Sequence, residues 1–190
     1  VYGDMPSSIS AFKENCLTCH DSLDPTRVYA ISKRSAENLC AIYSKTYSLN
    51  ISIARCFSFS GIDLPLDVHF AVGNFVKNAI ANKNIIIQGD GLSVRSYLDQ
   101  NDLASWILSI CSQDEFDMSV YNIGSDESIN IKSLAALIAS ISKKNIEINI
   151  QNKADIGLKK SIYVPDISKI KRTLNVDVKI SLKDSISKMI

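Results

Sequence analysis

Tyr29 and Lys33, in the stretch Tyr29-Ala30-Ile31-Ser32-Lys33, put a phenol and an ammonium four residues apart. Wherever the chain is helical, that spacing sets both side chains on one face. Of the seven tyrosines, this one alone has a lysine four residues on. A free tyrosine, with a pKa of about 10, is a poor base at neutral pH. A fixed neighbouring cation favours the phenolate and brings it into range for taking a proton from a sugar or alcohol hydroxyl. By spacing alone a surface contact is the plainer reading, since both residue types are common on helices.

A second spacing with chemical potential is Cys16-Leu17-Thr18-Cys19-His20, half of a zinc site by ligand type. No second cysteine pair follows, and the other histidine, His69, is distant in sequence, so the expectation is incidental thiols in a polar loop and no metal. Five cysteines without a secretory signal argue for free thiols in a reducing, cytoplasmic compartment. The seven glycines nowhere take the G-x-x-G-x-x-G spacing that cradles a dinucleotide pyrophosphate.

The elements that must hold these groups follow from periodicity and caps. Asp4 to Pro25 is polar and Pro-containing and reads as a long surface loop, after which Thr26 caps a helix over residues 26–47. Val28, Ala36, Leu39, Cys40 and Tyr43 recur at helical spacing and predict one buried face. Residues 51–57 read as a strand, with Gly61 and Pro65 in the following loop, and residues 70–81 as a helix. Ile85-Ile86-Ile87 is a β-branched run ending in the turn Gly89-Asp90-Gly91. Asp102 is the expected cap of a helix reaching Cys111, followed by a strand at 120–123, a helix at 133–142 and a strand at 146–150. Asp166 and Ser181 each open a short helix. Alternating strands and helices predict an α/β fold.

Composition narrows the partners. The 190 residues carry 21 Lys+Arg against 20 Asp+Glu, a formal net charge of +1, and 46% are hydrophobic. That balance offers no strong basic field for nucleic acid or an anionic membrane surface, and no apolar stretch approaches the ~18 residues of a membrane span. A small-molecule partner is the first expectation.

One ordered series of motifs goes further. Val1-Tyr2-Gly3, then Tyr29-x-x-x-Lys33, then Arg55-Cys56-Phe57-Ser58, then Gly89-Asp90-Gly91 with Arg95-Ser96-Tyr97-Leu98 and Asp102-Leu103-Ala104, then Tyr121-Asn122-Ile123-Gly124, then Tyr163-Val164-Pro165-Asp166 with Ser168-Lys169, run along the chain. This order resembles the extended short-chain dehydrogenase/reductases, in their NAD-dependent epimerase/dehydratase branch of nucleotide-sugar 4-epimerases and 4,6-dehydratases. The resemblance covers nearly all of the chain and the last half to two-thirds of a family member.

The resemblance implies the end of a Rossmann-type parallel sheet domain over residues 1–66, and a small C-terminal α/β sugar-nucleotide-binding domain over most of residues 67–190. Tyr29 becomes the acid/base at the sugar C4 hydroxyl, Lys33 the partner of the nicotinamide ribose, and Phe57 the neighbour of the nicotinamide of NAD. Arg95 becomes the grip on the nucleotide diphosphate, for which a planar five-donor guanidinium is suited. Ser58, His69, Asn74 and Gln88 become substrate contacts. Each keeps a simpler reading beside it: Arg95 as a surface ion pair, Phe57 as core, His69 as a loop histidine.

The series also departs from the family. Ser58 stands where many members have Asn, and Asp155-Ile156-Gly157 where many have Arg-Pro-Gly, with Lys159 or Lys160 as substitute charges. The chain starts at Val1 without an initiator Met, and the resemblance implies that the glycine-rich loop and the catalytic Ser or Thr lie upstream of it. The expectation is therefore an enzyme whose 190-residue segment is inactive alone and which, intact, forms a homodimer through the Tyr/Lys helix, Leu39 or Tyr43 meeting their counterparts. The rivals are a non-catalytic sugar-nucleotide-binding protein and a small zinc module around Cys16 and Cys19.

Overall fold

Pro25 and the carboxylate of Asp24 start the first helix. In the computed structural model, which describes residues 1–2, 10–16, 21–66, 70–113, 118–152 and 161–190, Asp24 accepts the Thr26 N–H at 2.9 Å and caps a 3-10 turn over Pro25–Arg27. Helix α1 (Val28–Tyr47) continues from it and stops at Ser48, whose φ of 52° is left-handed. Asp24 therefore replaces Thr26 as the cap, because Pro25 fills a first-turn position where a missing N–H costs nothing.

The chain returns as β1 (Ser52–Cys56), paired in parallel with β6 (Ser119–Ile123), so that Arg55 stands opposite Asn122 and Cys56 opposite Ile123. Among the described residues β1 has no other strand neighbour. That narrow platform explains a correction. None of Val28, Ala36, Leu39, Cys40 or Tyr43 is buried; Leu39 and Tyr43 are 55% and 53% exposed, and α1 has no buried residue at all. What ties α1 to β1 is polar: Arg55 meets the Glu37 carboxylate with Nε and Nη2, at 2.8 and 2.7 Å.

Short parallel pairs build the rest, β2 (Phe59–Ser60) on β5 (Leu98–Asp99) and β3 (Ile85–Ile87) on β8 (Ile148–Ile150). A three-stranded sheet centres on β4 (Val94–Ser96), antiparallel to β7 (Ser128–Asn130) and parallel to β9 (Ile162–Tyr163). Strands β2, β4, β5, β7 and β9 were not expected, since two or three residues are too few to display a period.

Helices α2 (Ala71–Ile80), α3 (Gln100–Cys111), α4 (Ile131–Ser142), α5 (Ser168–Leu174) and α6 (Leu182–Met189) complete the order. Asp99 caps α3 by accepting the Asn101 N–H. The expected cap, Asp102, is instead 4% exposed and accepts the N–H groups of Lys179 and Ile180, both at 2.9 Å. Asp166 accepts the Ser168 N–H ahead of α5, and Ser181 and Asp184 hydrogen-bond reciprocally at α6.

Two cores form. Val76, Ile85, Leu134, Ile138 and Ile186 are fully buried between α2, β3, α4 and α6. Leu98, Trp106, Ile123 and Ile170 fill a second between α3, α5 and β6. Each such side chain stabilises by roughly 1.5–3 kcal/mol. The segment read as a polar loop is anchored at Phe12, 1% exposed, which bridges to Pro165 and stacks on Tyr2 at 4.7 Å. No helix among the described residues is long and apolar enough to cross a membrane.

Candidate active site

Five of the residues nominated from the sequence meet at a cleft of about 900 Å³ between α2, the turn after β3, strand β4 and the loop after β1. Phe57, Ser58, Asn74, Gln88 and Arg95 all line it. Phe57 and Ser58 are fixed by backbone pairing: the Phe57 N–H donates to Ile123 O at 2.9 Å, and the Leu98 N–H to Ser58 O at 3.0 Å. Asn74 lies on the exposed face of α2, whose opposite face feeds the core through Val72, Phe75, Val76 and Ala79. Gln88 leaves β3 into a turn where Gly91 takes φ 76°, and a Cβ there would stand 3.1 Å from that of Lys132.

Arg95 projects from β4 and is anchored at the rim. Its Nη1 donates to Val94 O and Ser161 O at 2.7 and 3.0 Å, and its Nη2 to Ser161 Oγ at 3.2 Å. Three of the five guanidinium N–H groups are thus used to orient the fork, which leaves two for a ligand among the described contacts. No carboxylate pairs with Arg95 among the described residues.

Sequence reasoning missed Asn78, Ser93 and Tyr97 in the lining, and Tyr163 behind it. Asn78 is one helical turn beyond Asn74, a signal present in the sequence, whereas Ser93 and Tyr97 flank the three-residue strand β4, which is too short to display a period. Burial pushes the Tyr97 hydroxyl up to about 12, against the opposing pull of Arg95. Tyr163 stacks on Phe57 with centroids 4.5 Å apart and meets Phe12 edge-on at 5.8 Å. Its pKa is also raised, first by burial and then by the charge of Tyr29. Phe57 is therefore cleft wall and aromatic cluster at once.

Tyr29 and Lys33 are together, with Lys33 Nζ 5.6 Å from the centroid of the Tyr29 ring. They do not line the cleft. Tyr29 is 70% exposed near the start of α1, and its charge reaches Tyr163, which stacks on Phe57. His69 lies outside the described residues, as do Cys19, His20, the stretch 155–157, Lys159 and Lys160. Cys16 is a free thiol, and no group of three metal-ligating side chains occurs among the described residues.

An aromatic-walled cleft with an oriented guanidinium at its rim has the chemistry to receive an anionic ligand. Residues 1–124 match the model of the NAD dependent epimerase/dehydratase family. The chain belongs to that family. Among its relatives is UDP-glucuronic acid decarboxylase 1 of Arabidopsis thaliana, 30% identical over 85% of this chain and 36% of that protein. An uncharacterised UDP-glucose epimerase of Bacillus subtilis is 28% identical over 95% of this chain and 56% of its own length. In three dimensions, UDP-glucuronic acid 4-epimerase from Bacillus cereus, solved with UDP-glucuronic acid and NAD, superposes with a TM-score of 0.81 at 26% identity, covering 100% of this chain and 57% of that one. The chain spans between about a third and somewhat over half of the length of these family members. Its mixed α/β fold with parallel pairings is that of the Rossmann-type epimerases and dehydratases.

Proposed function

We propose that the protein carrying this chain is an NAD-dependent enzyme that oxidises a nucleotide-diphosphate sugar at C4, acting as a 4-epimerase or a 4,6-dehydratase in cell-surface polysaccharide synthesis. The observation that carries this reading is the convergence of Phe57, Ser58, Asn74, Gln88 and Arg95 on one cleft, with the rim guanidinium oriented by Ser161. Arg95 grips the diphosphate, whose oxygens match a planar fork. Asn74, Gln88 and Ser58 offer hydrogen bonds to the nucleotide and sugar, and His69 is a further candidate on the same segment.

The residues present fit the nicotinamide end of NAD. The Tyr29 hydroxyl and Lys33 ammonium form an exposed polar pair, and Phe57 offers an apolar face at the cleft wall. When bound, NAD supplies a hydride acceptor. Tyr29, as phenolate, takes the proton of the C4 hydroxyl, and Lys33 favours that phenolate and holds the ribose. Tyr29 returns the proton at the end of the cycle, or the 4-keto sugar first loses water across C5 and C6.

Residues 1–66 belong in this reading to the cofactor-binding domain and most of residues 67–190 to the sugar-nucleotide domain. The intact protein is a cytoplasmic homodimer built on α1, whose Leu39 and Tyr43 are exposed. Tyr29→Phe is expected to lower turnover by at least a hundredfold, within the range of lost acid/base catalysis, with an unchanged melting temperature. A UDP-sugar C4-oxidation assay beside a thermal melt checks this, and activity within a few-fold of the parent rejects Tyr29 as the base. The separation of Tyr29 from the cleft lining favours one second reading, a non-catalytic sugar-nucleotide binder. It predicts nucleotide-sugar affinity without bound NAD in the purified protein.

A further inference from the structure

Tyr29, Lys33 and Glu37 follow one another at four-residue steps along α1, so one stripe of the helix carries a phenol, an ammonium and a carboxylate. A carboxylate four residues beyond a lysine is within its reach and competes for it. In the structure Glu37 is already engaged. Arg55 holds both of its oxygens, at 2.8 and 2.7 Å, in a pair whose side chains are only 14% and 19% exposed. The remaining Arg55 nitrogen, Nη1, donates to Tyr2 Oη at 2.9 Å and to the Glu14 carbonyl at 2.8 Å, so the fork cannot drift from its place. Lys33, meanwhile, lies over the Tyr29 ring.

We propose that Arg55 is a positioning residue for the Tyr29–Lys33 pair: by capturing Glu37 it keeps that carboxylate from drawing the Lys33 ammonium away from the phenol. The inference rests on the reading of Tyr29 and Lys33 as the acid/base pair. Among the described residues the other charges near this stripe are these. Arg34 on α1 and the amino group of Val1 share the field of Glu37, Arg55 and Lys33. Tyr2 and Glu14 stand on the N-terminal segment, and Tyr163 on β9 is within the field of Tyr29. Arg34 and the amino group temper a released Glu37, but neither replaces a two-pronged grip.

The test is the tyrosinate titration of Tyr29 by ultraviolet difference absorbance in the intact protein, with Tyr29→Phe as the blank. This readout needs no catalysis, so its failure stands apart from failure of the proposed reaction. Arg55→Met removes a cation and frees Glu37, and the Tyr29 midpoint is expected to rise by about half a pH unit. Glu37→Gln removes the anion and leaves Arg55 charged, and the midpoint is expected to fall by a similar amount. The double variant is expected to return close to the parent. A merely mechanical tether is broken by either change and moves both midpoints the same way. Shifts of equal sign, or none, overturn the proposal. If Arg55→Met does not fold, Arg55→Lys decides, because it keeps the charge and loses the two-pronged grip on Glu37: a rise supports the proposal, and no change or a fall overturns it.

Discussion

Arg95, on β4, and Tyr97, just past its end, face the same cleft, yet their environments ask different things of them. Arg95 is charged, half-buried and oriented by Ser161, so replacing it with Met removes charge-assisted hydrogen bonds to a ligand anion. A loss of roughly 1.5–3 kcal/mol corresponds to a 10- to 150-fold rise in KM for a nucleotide-diphosphate sugar. Steady-state kinetics of Arg95→Met in the intact enzyme check this; an unchanged KM removes Arg95 from the phosphate grip. Tyr97 is 7% exposed, and burial keeps its proton on to about pH 12. The same tyrosine in the unfolded chain releases its proton near pH 10, so the stability linked to Tyr97 is intact below about pH 10 and falls as pH climbs toward 12. Denaturant melts of Tyr97→Phe against the parent should show a shallower alkaline loss, by on the order of 1 kcal/mol per pH unit. Part of the loss remains, since burial also raises Tyr2 and Tyr163.

The loop after β1 is the element on which the site depends most. It leaves the sheet at Phe57, whose Cβ would be 3.1 Å from a Cβ placed on Gly124, while Pro165 Cγ would stand at only 2.8 Å. Gly124 thus lets three segments converge: the end of β6, the cleft wall and the Val164–Pro165 stretch that Phe12 buttresses. Gly124→Ala is expected to destabilise the chain by about 1–3 kcal/mol, as overpacking does, and to displace Phe57 from the cleft. A chemical melt measures the first effect, and loss of nucleotide-sugar affinity beyond that of a matched surface variant measures the second. Helix α1 is attached differently. Buried apolar area contributes little there, and the Arg55–Glu37 pair with the Tyr2 and Glu14 contacts carries the attachment.

At the scale of the whole molecule, Leu39, Ile42, Tyr43 and Tyr47 leave an apolar face of α1 open, and β1 is paired on one edge among the described residues. Such surfaces associate. The 190-residue chain alone is expected to run larger than a monomer in light scattering and to show no NAD binding at micromolar concentration by calorimetry, because the pyrophosphate cradle has no counterpart in its glycine spacing. Micromolar NAD binding to a monomer contradicts the proposed division of the site. What the sequence determined by itself was the α/β alternation and the family, and through the family resemblance it nominated Phe57, Ser58, Asn74, Gln88 and Arg95, which line one cleft. These depend on local period and on residue order, which a linear chain displays. Other features depended on partners far away in sequence. Asp102 became a buried acceptor for Lys179 and Ile180 instead of a cap, Phe12 became core through Tyr2 and Pro165, and the stripe on α1 stayed exposed beside a two-stranded platform. Tertiary structure decided these because burial and hydrogen-bond satisfaction belong to pairs of segments brought together by folding, and no local spacing encodes the second member of the pair.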